Sequence, residues 1–312
     1  MQDTDIGTPP AADTADCSGR ILVIMNPASG KKKAGERAVR LVEEVARDKR
    51  LELREVEGRG LADAVRQGLE EGYRTFAAAG GDGTICGVAS ALMGSGCRMG
   101  VIPLGTFNYF ARGHGLPEDI GEAVRVLCEG ATKPLDIGEV NGVAFLNNAS
   151  LGAYSLILQS RERIYARWGR SRLAAYWSVL VALSRFRIRL SVTLTIDGET
   201  HRMKTPMIFV ANNPYQLELF NLEGAELIRE GNLVAMIAPD VGRLGLIAFA
   251  ARLAMGTPRA GRDYRLLAGR DILVETKRRR AVVARDGERQ RLAAPFRFRL
   301  RQAALELIVP PV

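Results

Sequence analysis

A glycine-rich turn with one carboxylate and one hydroxyl, G-G-D-G-T at residues 80–84, directly follows an apolar segment of the chain. Its glycines let backbone N–H groups approach an anion without intervening side chains. The helix predicted to begin at Thr84 would point its positive end at the same anion. A carboxylate beside a phosphate repels it unless a cation lies between them, so Asp82 indicates a hard metal ion, Mg²⁺. The turn therefore predicts a phosphate site with bound magnesium.

Two other loops carry residue types that suit phosphate binding. The first, N-P-A-S-G-K-K-K, runs from Asn26 to Lys33, and its three lysines stand at the start of a predicted helix. Cations at that position oppose the helix dipole unless an anion binds nearby. Ser29 is equally typical of an ordinary helix cap, so a plain loop is the alternative. The second loop, G-T-F-N, spans Gly105 to Asn108.

Two D-G-E triplets, at residues 197–199 and 286–288, add carboxylates that could act on a substrate. Asp-Gly is a common hairpin sequence, so a solvated turn is the alternative interpretation of each. The glycine turns match neither the dinucleotide fingerprint nor the P-loop. Cys86 stands where the former needs its third glycine, and Lys32 stands where the latter needs serine or threonine.

The elements that must position these loops alternate between strand and helix in the first half of the chain. Apolar runs predict strands at 21–25, 51–56, 73–79 and 99–102, and apolar residues at helical spacing follow each of them. Repeated β-α-β units predict a doubly wound parallel sheet with helices on both faces, whose ligands bind beyond the carboxyl ends of the strands. Because each candidate loop follows a strand, we expect the three loops to converge on one crevice.

The second half of the chain changes to strand periodicity. Apolar and polar residues alternate from Phe186 to Ile196, and Asp197-Gly198 predicts a hairpin turn into another strand. Further strands are predicted at 207–211, 233–238, 272–276 and 281–284. The predicted fold class is thus α/β plus all-β, in which an antiparallel β-sandwich-like domain follows the doubly wound sheet.

We place the domain limits near Pro134. The expected organisation is a disordered lead-in at 1–19, an α/β nucleotide-binding domain at 20–134, and a β-rich acceptor-binding domain at 135–300. Residues 301–312 are predicted to return to the first domain, with Leu305 to Val309 as a closing strand.

Composition favours anionic partners and argues against several kinds of site. The 312 residues carry a net charge of +9, which suits nucleotides, nucleic acid or anionic lipid. Four cysteines without CxxC spacing and two histidines make a zinc or iron–sulfur site an unlikely fit for this sequence. The N-terminal residues lack the apolar core of a secretory signal, and the apolar stretches are too short to cross a bilayer. We therefore expect a cytoplasmic protein.

Taken together, four motifs resemble the diacylglycerol kinase catalytic-domain family. They are N-P-x-S-G-K after the first strand, G-G-D-G-T after the third, P-L-G-T-F-N-Y-F-A-R at 103–112 and R-D-G-E at 285–288. This family includes bacterial soluble lipid kinases, is similar to sphingosine and ceramide kinases, and is distantly similar to NAD kinases. The resemblance covers about residues 20–310, and it implies an NAD kinase-like first domain with ATP and Mg²⁺ as cofactors.

The resemblance also implies a role for each matching residue. Asp286 would take the proton from the acceptor hydroxyl, and Asp82 and Glu288 would hold Mg²⁺, Asp82 through water. The nucleotide would be bound by Asn26, Ser29, Gly30, Lys31, Gly80, Gly81, Gly83, Thr84, Gly105 and Thr106. Phosphoryl transfer does need positioning, cations on the phosphate oxygens, and a carboxylate beside the attacking hydroxyl. Only the later D-G-E matches the family position, so Asp197 is interpreted as a turn.

Two positions depart from the family pattern. Tyr109 stands where the family has an acid after the asparagine, which removes one contributor to the metal network. At a second, structural metal site, Arg229-Glu230-Gly231 keeps a single acid. We therefore do not predict the second metal.

We predict an ATP-dependent kinase that phosphorylates a lipid hydroxyl, diacylglycerol-like or sphingoid. We expect the protein to associate peripherally with the membrane and not to bind nucleic acid. Whether it forms a homodimer is left open. Five arginines interleaved with aromatic residues between 161 and 177 suit anionic headgroups, although a solvated face is the alternative. Tyr109 also suggests another class of function, a catalytically weak regulator that binds nucleotide or lipid. A soluble NAD or sugar kinase is a further alternative, and a nucleic-acid binder ranks last because the glycine turns would have no role in it.

Overall fold

Four parallel strands form one side of the first of two sheets. The computed structural model describes residues 19–27, 34–57, 60–152 and 190–311. The four strands, in spatial order, are β2 (Leu51–Glu55), β1 (Ile21–Met25), β3 (Thr75–Gly80) and β4 (Arg98–Pro103). Every residue of β1 and β3 is buried. A parallel strand covered on both faces has no solvent side, which explains why both strands read as continuous apolar runs.

Helices cover both faces of these parallel strands. Leu22 and Ile24 of β1 pack into one apolar cluster, whereas Ile21, Val23 and Met25 pack into a second cluster on the opposite face. The first cluster includes residues of α2 (Leu61–Glu70), α3 (Asp82–Leu92) and α4 (Tyr109–Gly113). The second includes residues of α1 (Ala34–Val45) and α5 (Ile120–Glu129). The predicted doubly wound arrangement is therefore confirmed.

The same sheet continues through a long C-terminal strand. β16 (Phe296–Val309) pairs in parallel with β4 at Glu306 and Leu307, and it pairs antiparallel with β5 (Ala131–Val140), with a bulge between Arg301 and Leu305. β6 (Val143–Phe145) pairs with β5, and beyond β16 the sheet continues with β13 (Asp271–Thr276), β8 (Leu190–Ile196) and β9 (Glu199–Thr205). The predicted domain limits remain a prediction; Pro134 itself lies inside β5.

The second sheet is antiparallel throughout. Its spatial order is β12 (Arg265–Gly269), β11 (Leu233–Ile237), β10 (Met207–Ala211), β7 (Asn148–Gly152), β14 (Arg280–Arg285) and β15 (Glu288–Ala293). One apolar cluster joins it to the first sheet, with Leu194 and Ile272 from the first sheet and Val210 and Val283 from the second. The predicted antiparallel β-sandwich-like domain is therefore confirmed.

Three helices accompany the second sheet: α6 (Pro214–Leu219), α7 (Ala225–Arg229) and α8 (Arg243–Ala254). Leu217 and Ile228, from α6 and α7, pack with Val234 and Met236 of β11. Within the described ranges, no helix is long and apolar enough to cross a membrane. α6 places its first residues at the carboxyl end of β10, next to the site described below.

Candidate active site

Three chain segments meet at the carboxyl edge of the parallel strands. The N–H of Asn26, just after β1, donates to the carbonyl of Ala79 (3.0 Å), and the N–H of Leu104, just after β4, donates to the carbonyl of Gly80 (2.8 Å). The chain leaving β1 and β4 is thus hydrogen-bonded to the end of β3. The structure brings Asn26, the turn at 80–84 and the loop at 105–108 together. Ser29, Gly30 and Lys31 lie outside the described residues.

The turn and the loop approach so closely that glycine is required. A Cβ added to Gly105 would lie 2.7 Å from Gly81 Cα and 2.7 Å from Asn108 Oδ1, closer than real Cβ atoms come to either. At Gly83 an added Cβ would meet nothing within 4 Å, so that side of the turn is open. From α1, the Arg37 guanidinium donates to the Gly105 carbonyl (3.3 Å). The backbone of the turn is therefore accessible to a ligand, as phosphate binding requires.

α3 begins at Asp82, with Gly81 as its N-cap, and not at Thr84 as predicted. Asp82 therefore lies in the first turn of the helix, where a carboxylate is stabilised by the positive end of the dipole. Its Oδ1 also accepts the N–H of Phe110 (3.0 Å), at the start of α4. These two interactions account for an acid in the turn without a metal, so the metal role of Asp82 is a proposal. Thr84 is buried, whereas Thr106 is exposed.

Asp286 and Gly287 are the two central residues of the hairpin between β14 and β15. Both have positive φ, 43° and 89°, and Arg285 pairs with Glu288, as in a type I′ turn. The earlier Asp197-Gly198 forms the same kind of turn, with φ of 46° and 95°. Both D-G-E triplets are thus hairpins, and what distinguishes them is what their carboxylates contact.

The Asp286 carboxylate is held by a run of three backbone N–H groups. Leu146 N–H donates to Oδ2 (2.7 Å), while Asn147 and Asn148 N–H donate to Oδ1 (2.8 and 3.0 Å). Burial raises the pKa of Asp286 above its usual value, and the three hydrogen bonds work against that rise. Asp197, by contrast, accepts the N–H groups of Arg270, between β12 and β13, and of Asp271, the first residue of β13.

The later hairpin also touches the helix that begins at the glycine turn. The thiol of Cys86, which lies four residues after Asp82 and hence on the same face of α3, donates to the Ala144 carbonyl (3.8 Å). Arg285 donates to the Ala144 carbonyl (3.2 Å) and reaches Cys86 Sγ (3.9 Å). Burial and the Asp286 charge raise the pKa of the Cys86 thiol, so it stays protonated. The hairpin that carries the proposed base thus contacts α3 one helical turn from the proposed phosphate site.

An amide network that the sequence reading missed joins the two halves of the site. Asn213, the N-cap of α6, donates to the Tyr109 carbonyl (2.9 Å) and to Asn147 Oδ1 (2.7 Å), while Asn148 donates to Gln216 Oε1 (2.8 Å). All four amide residues are buried or nearly so. Two Asn-Asn pairs, at 147–148 and 212–213, were the sequence signal that could have revealed this network. The first pair lies at the start of β7 and the second follows the end of β10, and these two strands pair in the second sheet.

Several buried polar atoms near this network lack a protein partner. Within the described residues, these include Asn108 Oδ1, Asn148 Oδ1 and Ser150 Oγ. Buried polar atoms normally find a partner in protein or water, so unpaired ones point to a ligand or to ordered water. They lie on the G-T-F-N loop and on β7, beside the residues that hold Asp286.

Aromatic rings stand where the family pattern has an acid. The Tyr109 ring stacks on Phe107 (centroids 5.4 Å apart, 4° between planes) and lies 6.4 Å from the ring of Tyr215. Across the described ranges, no group of three or more His, Cys, Asp or Glu side chains is arranged to hold a metal. Glu288 is exposed at the start of β15. Any magnesium here would depend on few protein ligands.

The sequence matches the models of two known protein domains. Residues 20–140 match the diacylglycerol kinase catalytic domain, and residues 152–309 match the YegS C-terminal NAD kinase beta sandwich-like domain. The chain belongs to the family defined by this YegS C-terminal domain, and its first part matches the diacylglycerol kinase catalytic domain. The diacylglycerol kinase catalytic model covers the three loops around residues 26, 80 and 105, and the YegS C-terminal model covers the hairpin that carries Asp286.

Two curated relatives are similar to this chain over shorter stretches. A Pseudomonas aeruginosa protein named "Probable lipid kinase YegS-like" is 47% identical over 90 residues, which is 28% of this chain and 30% of the relative. A Bacillus subtilis protein named "Diacylglycerol kinase" is 46% identical over 96 residues, 29% of this chain and 32% of the relative. The chain thus matches about a third of the length of these curated relatives.

A solved structure extends the similarity of fold over nearly the whole chain. The crystal structure of a diacylglycerol kinase from Bacillus anthracis superposes with a TM-score of 0.70 at 22% identity, covering 93% of this chain and 96% of the other. At 22% identity, this similarity shows that the two proteins share a fold.

Proposed function

We propose that the protein transfers the γ-phosphate of ATP to the hydroxyl of a lipid presented at a membrane surface, with Mg²⁺ and with Asp286 as the general base. The observation that carries this proposal is the contact of Arg285, the residue before Asp286, with Cys86 of α3 (3.9 Å). It joins the hairpin of a half-buried carboxylate to the helix whose first turn is G-G-D-G-T, in a chain whose first part matches the diacylglycerol kinase catalytic domain. A base, a phosphate cradle and open backbone between them are what phosphoryl transfer needs.

Each residue then has a role in the reaction. The acceptor oxygen attacks the γ-phosphorus, its proton passes to the Asp286 carboxylate, and ADP leaves. The raised pKa of Asp286 makes that carboxylate a better proton acceptor than an exposed aspartate. Three of its lone pairs are occupied by backbone N–H groups, and a carboxylate offers about four acceptor positions, which leaves room for the hydroxyl.

The nucleotide phosphates would lie against the glycine turn, between Asn26 and the loop of Gly105 and Thr106. Ser29, Gly30 and Lys31, which follow Asn26 in the sequence, are proposed to bind the same phosphates. Magnesium in kinases is usually held by one or two carboxylates together with substrate phosphates and waters. Asp82 and Glu288 supply two carboxylates, which fits a site that ATP itself completes. When bound, the metal ion would neutralise charge on the phosphate oxygens.

A panel of candidate acceptor molecules tests this function. Purified protein with ATP and Mg²⁺ is offered diacylglycerol, ceramide, sphingosine and phosphatidylglycerol in mixed micelles, and transfer of labelled γ-phosphate is measured. We expect transfer to at least one lipid and none to soluble NAD or sugars. Binding of nucleotide without phosphorylation of any acceptor would favour the regulator suggested by Tyr109, and transfer to NAD or a sugar would overturn the lipid assignment.

A further inference from the structure

One peptide group of α4 is hydrogen-bonded to both halves of the candidate site. The N–H of Phe110 donates to Asp82 Oδ1 (3.0 Å), and the carbonyl of Tyr109 accepts from Asn213 Nδ2 (2.9 Å). This N–H and this carbonyl belong to the same planar peptide group, in which they point in opposite directions. Phe110 and Asn213 are each 1% exposed. The rigid peptide group therefore fixes the position of Asn213 relative to the first turn of α3.

The second amide hydrogen of Asn213 continues the path to the proposed base. Asn213 Nδ2 also donates to Asn147 Oδ1 (2.7 Å), and the N–H of Asn147 donates to Asp286 Oδ1 (2.8 Å). An unbroken path of hydrogen bonds thus runs from Asp82, at the start of α3, to the Asp286 carboxylate. We call this path the amide bridge, because it passes through the side-chain amides of Asn213 and Asn147.

The orientation of the Asn213 amide is decided by its partners. Its Oδ1 accepts the N–H of Tyr215 (3.0 Å) and so caps α6, whereas its Nδ2 faces two oxygens. With the amide flipped, nitrogen would face an N–H group and oxygen would face two oxygens. Rotation of this one side chain would therefore break the cap and the amide bridge together.

Gly113, the last residue of α4, leaves room for the Asn213 amide. A Cβ added to Gly113 would lie 2.7 Å from Asn213 Nδ2, closer than real Cβ atoms come. Gly113 is helical and does not have a positive φ, so its backbone does not require glycine. Alanine is the better helix former. The close packing of α4 against Asn213 therefore explains why a glycine stands here.

A second contact between the two halves of the site is weaker. Arg285, beside Asp286, reaches Cys86 Sγ of α3 at 3.9 Å, and a cysteine sulfur is a weak acceptor. The two bonds that Asn213 donates are 2.7 and 2.9 Å long and end on oxygens. The amide bridge is thus the firmer of the two connections.

We propose that Asn213 is a positioning residue for phosphoryl transfer, which through the amide bridge holds the Asp286 carboxylate at a fixed place relative to the glycine turn. This inference rests on the proposed kinase function, in which Asp286 is the base. The acceptor hydroxyl, oriented by Asp286, must line up with the γ-phosphorus of a nucleotide bound at the turn. Asn213 contacts neither carboxylate and acts by keeping the two in register.

A double-mutant cycle between Asn213 and Asp286 tests this role. Asn213→Ser keeps a residue type that caps helices and removes both amide donors. This variant, Asp286→Asn and the double variant are assayed for kcat and for the KM for ATP. The matched control is Asn232→Ser, at an amide that donates to the Leu227 carbonyl (3.1 Å) just before β11. Thermal unfolding of each variant shows whether it is folded.

The effect of Asn213→Ser should depend on whether the base is present. Since a misplacement of about 1 Å can cost about a hundredfold in rate, we expect kcat to fall about 10- to 100-fold in the parent background. The KM for ATP should stay near the parental value, because the bond from Phe110 to Asp82 is kept. In the Asp286→Asn background the same substitution should change kcat by less than about twofold, since no base is left to position.

Two results of this cycle would overturn the proposal. A merely structural role of Asn213 would lower kcat by the same factor in both backgrounds, and an idle Asn213 would leave kcat unchanged in the parent background. The control Asn232→Ser should leave kcat near the parental value in both.

Gly113→Ala disturbs Asn213 without removing any hydrogen-bonding group. Its Cβ would push against the amide, so kcat should again fall in the parent background and change little in the Asp286→Asn background. This variant carries the same cycle if Asn213→Ser does not fold. Equal losses of kcat in the two backgrounds would contradict the positioning role here as well.

Hydrogen exchange of the full chain tests the amide bridge without any catalysis. Loss of the Asn213 donors should let the N–H groups of Phe110 and Asn147 exchange about fivefold faster, as expected for one lost hydrogen bond, while Asn232→Ser should leave both unchanged. Unchanged exchange at both N–H groups in Asn213→Ser would overturn the inference even in an active enzyme. If exchange rises at both but the parent phosphorylates no acceptor, the amide bridge is supported and the proposed kinase function is what fails.

Discussion

The two D-G-E hairpins allow a matched test of the general base. Asp286→Asn removes the charge of the proposed base but keeps a residue that tolerates positive φ, so the turn itself should survive. Asp197→Asn makes the same change in the same kind of turn, with φ of 46° in place of 43°. The two variants differ chiefly in what surrounds the carboxylate.

The structure sets the expected magnitudes. An asparagine oxygen in the place of Asp286 Oδ1 keeps the bonds from Asn147 and Asn148, while its NH₂ faces the N–H of Leu146 and loses that bond. A lost hydrogen bond with one donor left unpaired costs about 1–3 kcal/mol of stability. Burial disfavours the carboxylate charge and so raises the pKa of Asp286. Removing that charge in the asparagine variant therefore offsets part of this cost. At Asp197, Oδ1 accepts both backbone N–H groups, so we expect little change there.

Catalysis should separate the variants more sharply than stability does. Loss of a general base costs about 10²–10⁴ in rate, which corresponds to about 3–5 kcal/mol of barrier. The assay is initial-rate phosphorylation of the best acceptor from the panel, with urea unfolding of each variant alongside. We expect kcat to fall by that factor in Asp286→Asn and to stay near the parent value in Asp197→Asn. The pH–rate profile of the parent should also fall toward low pH as Asp286 is protonated.

Two results would refute this reasoning. If Asp286→Asn keeps more than about a tenth of the parental kcat, then Asp286 is not the base, since general-base loss costs at least about a hundredfold. If Asp197→Asn loses as much activity as Asp286→Asn, then both hairpins act through the shape of the β-sandwich, and the contact of the Asp286 hairpin with α3 carries no chemistry.

Three further changes have defined outcomes. Gly105→Ala forces a Cβ to within 2.7 Å of Asn108 Oδ1, so we expect a loss of about 1–3 kcal/mol in urea unfolding and a higher KM for ATP. Tyr109→Asp adds a carboxylate beside the loop, and half-maximal activity should then need less Mg²⁺. Asp263, beside Arg262, has its pKa lowered to about 2, so it stabilises the fold above about pH 4 and loses that effect as pH falls toward 2. Asp263→Asn should flatten this part of the stability profile, measured by unfolding at each pH.

Each of these predictions has its own control. Gly35→Ala in α1, where an added Cβ meets nothing within 4 Å, should stabilise the protein by about 1 kcal/mol, in contrast to Gly105→Ala. Tyr109→Phe keeps the ring stacked on Phe107 and should leave the Mg²⁺ requirement unchanged. Stability of Asp263→Asn that still falls steeply between pH 4 and pH 2 would contradict the ion pair as its source.

Local patterns in the sequence were sufficient for most of the first half. The strands β1 to β4 fall within two residues of their predicted positions. For β1 and β3 the reason is that a strand buried on both faces reads as a continuous apolar run. The hairpin at Asp197 was predicted for a similar reason, since Asp-Gly suits positive φ at both turn positions. In these cases neighbouring residues alone carry the information.

The start of α3 and the strands β5 and β7 show where local patterns are insufficient. Gly81 caps the helix two residues earlier than predicted, and Asp82 is held there by the N–H of Phe110, which follows a different strand. β5 contains Pro134, which argues against a strand locally, yet it pairs with β16 along nearly its whole length. Pairing partners distant in sequence decided these elements.

The sequence by itself determined the class of chemistry: a glycine turn with an acid, two further candidate loops, and a D-G-E at a family position. Only the tertiary structure decided that the Asp286 hairpin contacts Cys86 of α3, and that three consecutive backbone N–H groups hold the Asp286 carboxylate. Both facts depend on strand register and on contacts between residues about 140 to 200 positions apart. Such contacts form only when the whole chain folds, because the entropy of closing so long a loop must be repaid by the packed core.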